Sequence, residues 1–192
     1  MKILKFNLLL FISLLLGACG NSEQTIDGKN TDTVSIKKTK QLSREEYIEQ
    51  IKKTEAELFQ STEIDRDKGA KAVKLYALYA MLFPTDTISA HFLFKAGEIA
   101  TATKEYNEAL SYYETIEKNY PNFVHKDAAL YLQAYVYDYL INDDQKAKMV
   151  YERLATKYPK SIYSNDVQAA LNNLGKSDEE LIKEFEKKNK QK

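Results

Sequence analysis

The side chains able to do covalent or acid–base chemistry are few and widely spaced in this chain. Cysteine occurs once, as Cys19, and histidine twice, as His91 and His125. The two imidazoles are 34 residues apart with no cysteine or carboxylate at metal-ligand spacing around them. No HExxH, GxSxG or phosphate-binding glycine loop occurs either. Carboxylates are abundant but follow the patterns of solvated helix surfaces. No catalytic or metal-binding residue is therefore assigned, and the chain reads as a non-enzyme. Phenols are another matter: eleven of the fourteen tyrosines lie between positions 106 and 163. A concentration of this kind suits core packing or recognition, since each ring brings a large apolar face and a polar tip.

The thiol has its own context. Lys2 and Lys5 precede an apolar run from Phe6 to Leu16, too short for a bilayer span of about 20 residues but right for a signal-peptide core. The run ends in "LGAC" (16–19), where Gly17 and Ala18 are small enough for a peptidase pocket. Cys19 is the one side chain nucleophilic enough to take a diacylglycerol as a thioether. The stretch resembles a bacterial lipobox; the other reading is a signal peptide that happens to end near a free cysteine, a lone secreted thiol without a disulfide partner. The resemblance implies a signal peptide over 1–18 and, on Cys19, a covalent diacylglycerol and an N-acyl lipid, and with multiple acyl chains anchoring is stable. No other cofactor is expected. Residue 20 is Gly and not Asp, so the usual inner-membrane retention signal is absent. An outer-membrane destination follows, in a host that has one, and "NSEQ" is a poor acidic export signal, which favours the periplasmic side.

Positions 20–42 are polar, short of aromatics and without helical periodicity. Together with Cys19 they form a flexible tether, 19–42, with a reach on the order of 5–6 Å times the square root of its length. Charge is balanced at 28 basic and 28 acidic residues, and loss of Lys2 and Lys5 leaves 26 against 28. No basic stripe interleaved with aromatics stands out, and secretion removes nucleic acid as a partner. The tail lysines 187, 188, 190 and 192 read as a solvated helix end, with contact to anionic lipid as the alternative.

Tyrosines must be held by a frame, and the prolines mark it. "YYETIEKNYPN" (112–122) is nearly repeated as "VYERLATKYPK" (150–160), and "LYALYAMLFP" (75–84) is a third copy. Pro84, Pro121 and Pro159 are all the prolines in the chain, at intervals of 37 and 38. Twelve residues before each stands an alanine (Ala72, Ala109, Ala147), eight before a tyrosine (Tyr76, Tyr113, Tyr151), and five before an apolar or aromatic residue (Tyr79, Ile116, Leu154). Steps of four and three share one helical face, where the small residue allows close helix approach and the larger ones fill a core. The upstream halves match too, "AHFLFKAGEIA" (90–100) over "DAALYLQAYVY" (127–137), with Gly97 aligned to Ala134. The third copy carries one extra residue in "YLINDD".

Helix punctuation is equally readable. A residue before proline is pushed out of the α region, so Phe83, Tyr120 and Tyr158 must end helices. "SREE" (43–46) and "SDEE" (177–180) are capping boxes, "NDDQKA" (142–147) starts a helix through Asp143 or Asp144, and Gly175 is a C-terminal cap. The spacing predicts eight helices, roughly 43–60, 67–82, 88–102, 105–119, 124–140, 144–157, 162–174 and 178–188.

Gly97, Ala109, Tyr113 and Pro121 stand at offsets of 0, 12, 16 and 24, and this helix-pair spacing resembles the tetratricopeptide repeat, although the period exceeds the usual ~34 residues. The resemblance implies an all-α helical-hairpin solenoid over 43–175, about three hairpins, followed by a C-terminal capping helix and basic tail over 176–192. It also implies that the first helix of each hairpin lines a concave surface. Carried over residue by residue, that surface comprises His91, Phe94, Glu98 and Thr101, then Ala128, Tyr131, Tyr135, Asp138 and Tyr139. Tyr131, Tyr135 and Tyr139 lie at i, i+4 and i+8, so they form either a recognition stripe or packing against a neighbouring helix. Two functions fit: a lipid-anchored adaptor docking onto envelope proteins, in outer-membrane assembly or a cell-wall complex, or a small-ligand or glycan-binding lipoprotein using the tyrosine-lined groove. The lack of tryptophan counts mildly against the second.

Overall fold

A computed structural model describes residues 42–190; positions 1–41, which hold the expected leader, Cys19 and most of the expected tether, lie outside the described residues, as does Lys192. The described chain folds into helices α1 (Arg44–Leu58), α2 (Arg66–Leu82), α3 (Thr87–Ala102), α4 (Tyr106–Asn119), α5 (Lys126–Tyr135), α6 (Asp144–Lys157), α7 (Ser164–Asn173) and α8 (Asp178–Asn189), with no strand among the described residues. From α1 to α7 each helix packs against the next, which is the arrangement of stacked hairpins. None of these helices is long and apolar enough to cross a membrane.

The repeat register becomes a packing register. Ala72, Ala109 and Ala147, then Tyr76, Tyr113 and Tyr151, then Tyr79, Ile116 and Leu154 are all buried. Full burial of a Leu- or Ile-sized side chain is worth about 1.5–3 kcal/mol, so the larger residues of this register carry much of the stability. The core divides along the solenoid into three clusters spanning α1–α3, α2–α5 and α5–α7, with Tyr112 and Tyr137 packed between successive ones.

Helix ends obey the local chemistry. Phe83, Tyr120 and Tyr158 terminate α2, α4 and α6 with φ of −124°, −123° and −131° and ψ near 60°. At each junction the residue two past the proline donates its N–H back to the residue before it: Asp86 to Phe83, Phe123 to Tyr120 and Ser161 to Tyr158, all at 3.0 Å. Both capping boxes form, at Ser43 and Ser177, and Asp143 is the α6 cap, accepting from Lys146 N–H at 3.0 Å. Gly175 follows α7 with φ +76°, a conformation cheap only for glycine. Asp86 ties three helices together. It caps α3 through Ile88 N–H, pairs with Arg44 of α1 and accepts from the Tyr79 hydroxyl of α2 at 2.6 Å. The Arg44 guanidinium, with Tyr79, holds its carboxyl down at about 2.

The fifth helix departs from expectation. Instead of one α-helix over 124–140, α5 begins at Lys126 and passes at Val136 into a π-helical turn, Val136–Ile141. The cause is the extra residue. Both hairpin turns close on a left-handed residue, Lys104 (φ 67°) and Asn142 (φ 59°), but Lys104 stands 20 residues after its proline and Asn142 stands 21 after. The additional residue is therefore absorbed between Asp138 and Asn142, where the wider turn lets Asn142 N–H reach the Tyr137 carbonyl five positions back.

Candidate interaction face

The residues assigned to the recognition surface lie on α3, on α5 and in the π turn that follows it, and the structure sorts them into two different environments. On α3, His91 is exposed and packs edge-on to Phe123 at 4.9 Å, and lies 6.1 Å from His125. Phe94 is half-buried among Tyr113, Phe123 and His125 at 5.9–6.2 Å. The junction after α4 thus folds back and covers α3 with two aromatic rings. Glu98 stays accessible to solvent, yet enough protein surrounds it for desolvation to raise its carboxyl pKa against the opposing pull of Lys95 and His125. The Thr101 hydroxyl turns inward and donates to the Gly97 carbonyl at 2.8 Å.

On α5 and the π turn only the last of the matching positions stay open. Ala128 is buried, and Tyr131 is half-buried because Tyr163, from the start of the next hairpin, stacks on it at 4.4 Å and 13°. Tyr135 and Tyr139 are 37% and 62% exposed and stack on each other at 5.0 Å. Nothing among the described residues covers that pair. Asp138 sits between them in sequence but faces the core side, where its Oδ2 accepts from the Tyr151 hydroxyl at 3.1 Å. Burial pushes the Asp138 carboxyl above its ordinary range, the Tyr151 bond opposing. Next to Asp138 and Tyr139 opens a cleft of about 580 Å³, bounded by Asp144, Leu174, Gly175 and Lys176.

The spacing that placed Tyr131, Tyr135 and Tyr139 on one face did not reveal that a later hairpin would cover the first and leave the other two. Nor did it associate Phe123 and His125 with His91 and Phe94. The period held a usable signal, because residues just after a proline must abut the start of the preceding hairpin, but ring contact depends on the angle at which hairpins stack.

Known proteins supply one point of comparison. The tetratricopeptide repeat family model matches residues 92–122 and 128–161. No curated protein matches the sequence. The two matched segments run through α3–α4 and α5–α6, and the described chain is an all-α, tetratricopeptide-type solenoid of helical hairpins, a fold whose repeats serve as protein-interaction scaffolds.

Proposed function

We propose that this chain is a lipid-anchored protein-interaction scaffold of the bacterial cell envelope, held by Cys19 at the periplasmic face of the outer membrane and docking onto an envelope protein through α5 and its π turn. The observation that carries the docking surface is the exposed, mutually stacked Tyr135–Tyr139 pair. Large rigid aromatics lose little entropy on binding and dominate many interfaces. Anchoring rests on "LGAC" and the apolar run before it. The stacked pair also suits a sugar face, which keeps a glycan-binding lipoprotein as the second reading.

Two measurements on the full chain test this. Cys19→Ser should abolish lipid-dependent mass and release the protein from the membrane fraction or leave it unprocessed; unchanged mass and fractionation discard the anchor. A photoreactive residue at exposed Asn173, on the rim of the cleft, should give one discrete stoichiometric adduct in cells, lost when Tyr135 and Tyr139 are both alanine. No adduct, together with thermal stabilisation by envelope glycans, selects the second reading.

A further inference from the structure

The tyrosine face has a charge character that its aromatic content alone does not specify. Asp138 lies in the π turn beside Tyr139, Asp144 opens α6 in the same cleft, and Asp166 on α7 lies close enough to Tyr131 to oppose ionisation of its phenol. None of these three carboxylates has an ion-pair partner among the described residues. Elsewhere on the solenoid acidic side chains are commonly paired: Glu55 with Lys95 and Glu117 with Lys157, both at 2.7 Å, and Glu105 with Arg66. The one lysine on the cleft, Lys176, is engaged by Glu184 at 2.7 Å.

Acidic residues alone would be an ordinary solvated surface. Here Asp138 and Asp144 line the cleft that exposed Tyr139 borders, and the π faces of Tyr139 and its stacking partner Tyr135 are electron-rich and attract cations, arginine above all. The second repeat lacks this combination at matching positions: Glu98 stands where Tyr135 does, and Ala102 where Tyr139 does. Tyr139 belongs to the segment lengthened by the π turn, a local irregularity that occurs often at functional sites.

We infer that the Tyr135–Tyr139 stack, with Asp138 and Asp144 on the cleft beside it, receives the cationic side chain of an arginine- or lysine-bearing extended segment of a partner protein. The inference rests on the scaffold reading and names the chemistry of its partner. A guanidinium lying on the exposed rings meets negative potential from the carboxylates, and the open cleft beyond Tyr139 leaves room for the chain that carries it. A small quaternary amine would satisfy the rings but would leave most of that cleft empty.

The test uses the full chain in detergent micelles and two fluorescent Gly-Ser decapeptides, one with arginine at every third position and one with citrulline, its neutral near-isostere, in its place. The arginine peptide should bind at least about tenfold more tightly, the equivalent of ~1.4 kcal/mol of cation–π and charge attraction, and should weaken as salt rises. Asp138→Asn keeps an oxygen for the Tyr151 hydroxyl but removes the charge, so it should cut arginine-peptide affinity several-fold with the melting midpoint unchanged. Equal binding of the two peptides, binding of neither, or an Asp138→Asn protein that melts and binds like the parent overturns the inference. So does complete competition by millimolar tetramethylammonium with no added contribution from the peptide chain. The Asn173 adduct separates the two levels: an adduct without arginine preference removes only the cationic partner, whereas absence of any adduct with the parent chain removes the scaffold reading itself.

Discussion

The α3–α4 and α5–α6 hairpins share one packing pattern and differ almost everywhere outside it. Both bury an alanine, a tyrosine and a branched aliphatic at the same offsets from their closing proline. In the first, however, the tyrosine is accommodated by removing a side chain: a Cβ on Gly97 would stand 2.5 Å from Tyr113 Cε1. The Tyr113 hydroxyl is buried without a hydrogen-bond partner. In the second, Ala134 replaces the glycine, and Tyr151 gains Asp138 as an acceptor. The outward faces diverge further, one roofed by Phe123 and His125, the other open at Tyr135 and Tyr139. A repeat thus constrains only the positions that touch the next helix, and the remaining surface is free to acquire a binding chemistry in one unit and not in its neighbour.

The largest expected effect separates core from surface tyrosines. Tyr113→Ala and Tyr151→Ala should each cost about 3–5 kcal/mol, enough to unfold a marginal domain, because each removes a fully buried ring. Replacing Tyr135 and Tyr139 together should move the denaturant midpoint little while abolishing partner capture. A double variant that unfolds like Tyr151→Ala would place the pair in the core and break the comparison.

A smaller effect concerns the glycine that only the α3–α4 hairpin requires. Gly97→Ala should destabilise by about 1–3 kcal/mol through overpacking on Tyr113, outweighing a gain in helix propensity of up to ~1 kcal/mol. The converse change, Ala134→Gly, should cost only about 1 kcal/mol from propensity. Urea melts that rank the two in reverse order would show that the repeats pack their tyrosines alike.

The smallest effect is the sharpest contrast in sign. Tyr151→Phe should cost about 0.5–1.5 kcal/mol, since it removes the hydrogen bond to Asp138, whereas Tyr113→Phe should be neutral or slightly stabilising, since its hydroxyl is buried without a partner. Equal losses at both positions would mean that Tyr113 finds a partner in solution.

Much of the scaffold could be read one residue at a time. The pre-proline residues end their helices, Ser43, Asp143 and Ser177 cap theirs, and Gly175 takes positive φ, because each outcome depends on sterics and hydrogen bonds within about one turn of chain. Burial of the alanine–tyrosine register was legible for a related reason: a 3.6-residue period selects one face, and a face repeated at every hairpin must meet its neighbours. The recognition surface was legible only as a set of positions. Whether Phe94 is roofed, Tyr131 stacked or Tyr139 open is decided by Phe123, His125 and Tyr163, which arrive from other hairpins.

The amino-acid sequence by itself determined where helices begin and end, which residues face inward and that the third repeat holds one residue too many, since these follow from local geometry and a fixed period. Only the tertiary structure decided that the surplus residue becomes a π turn, that Asp138 completes Tyr151 from the opposite helix, and that two tyrosines of three remain in solvent beside an acidic cleft. Those outcomes depend on distances between residues remote in sequence, which the stacking of one hairpin on the next sets and no single stretch of chain encodes.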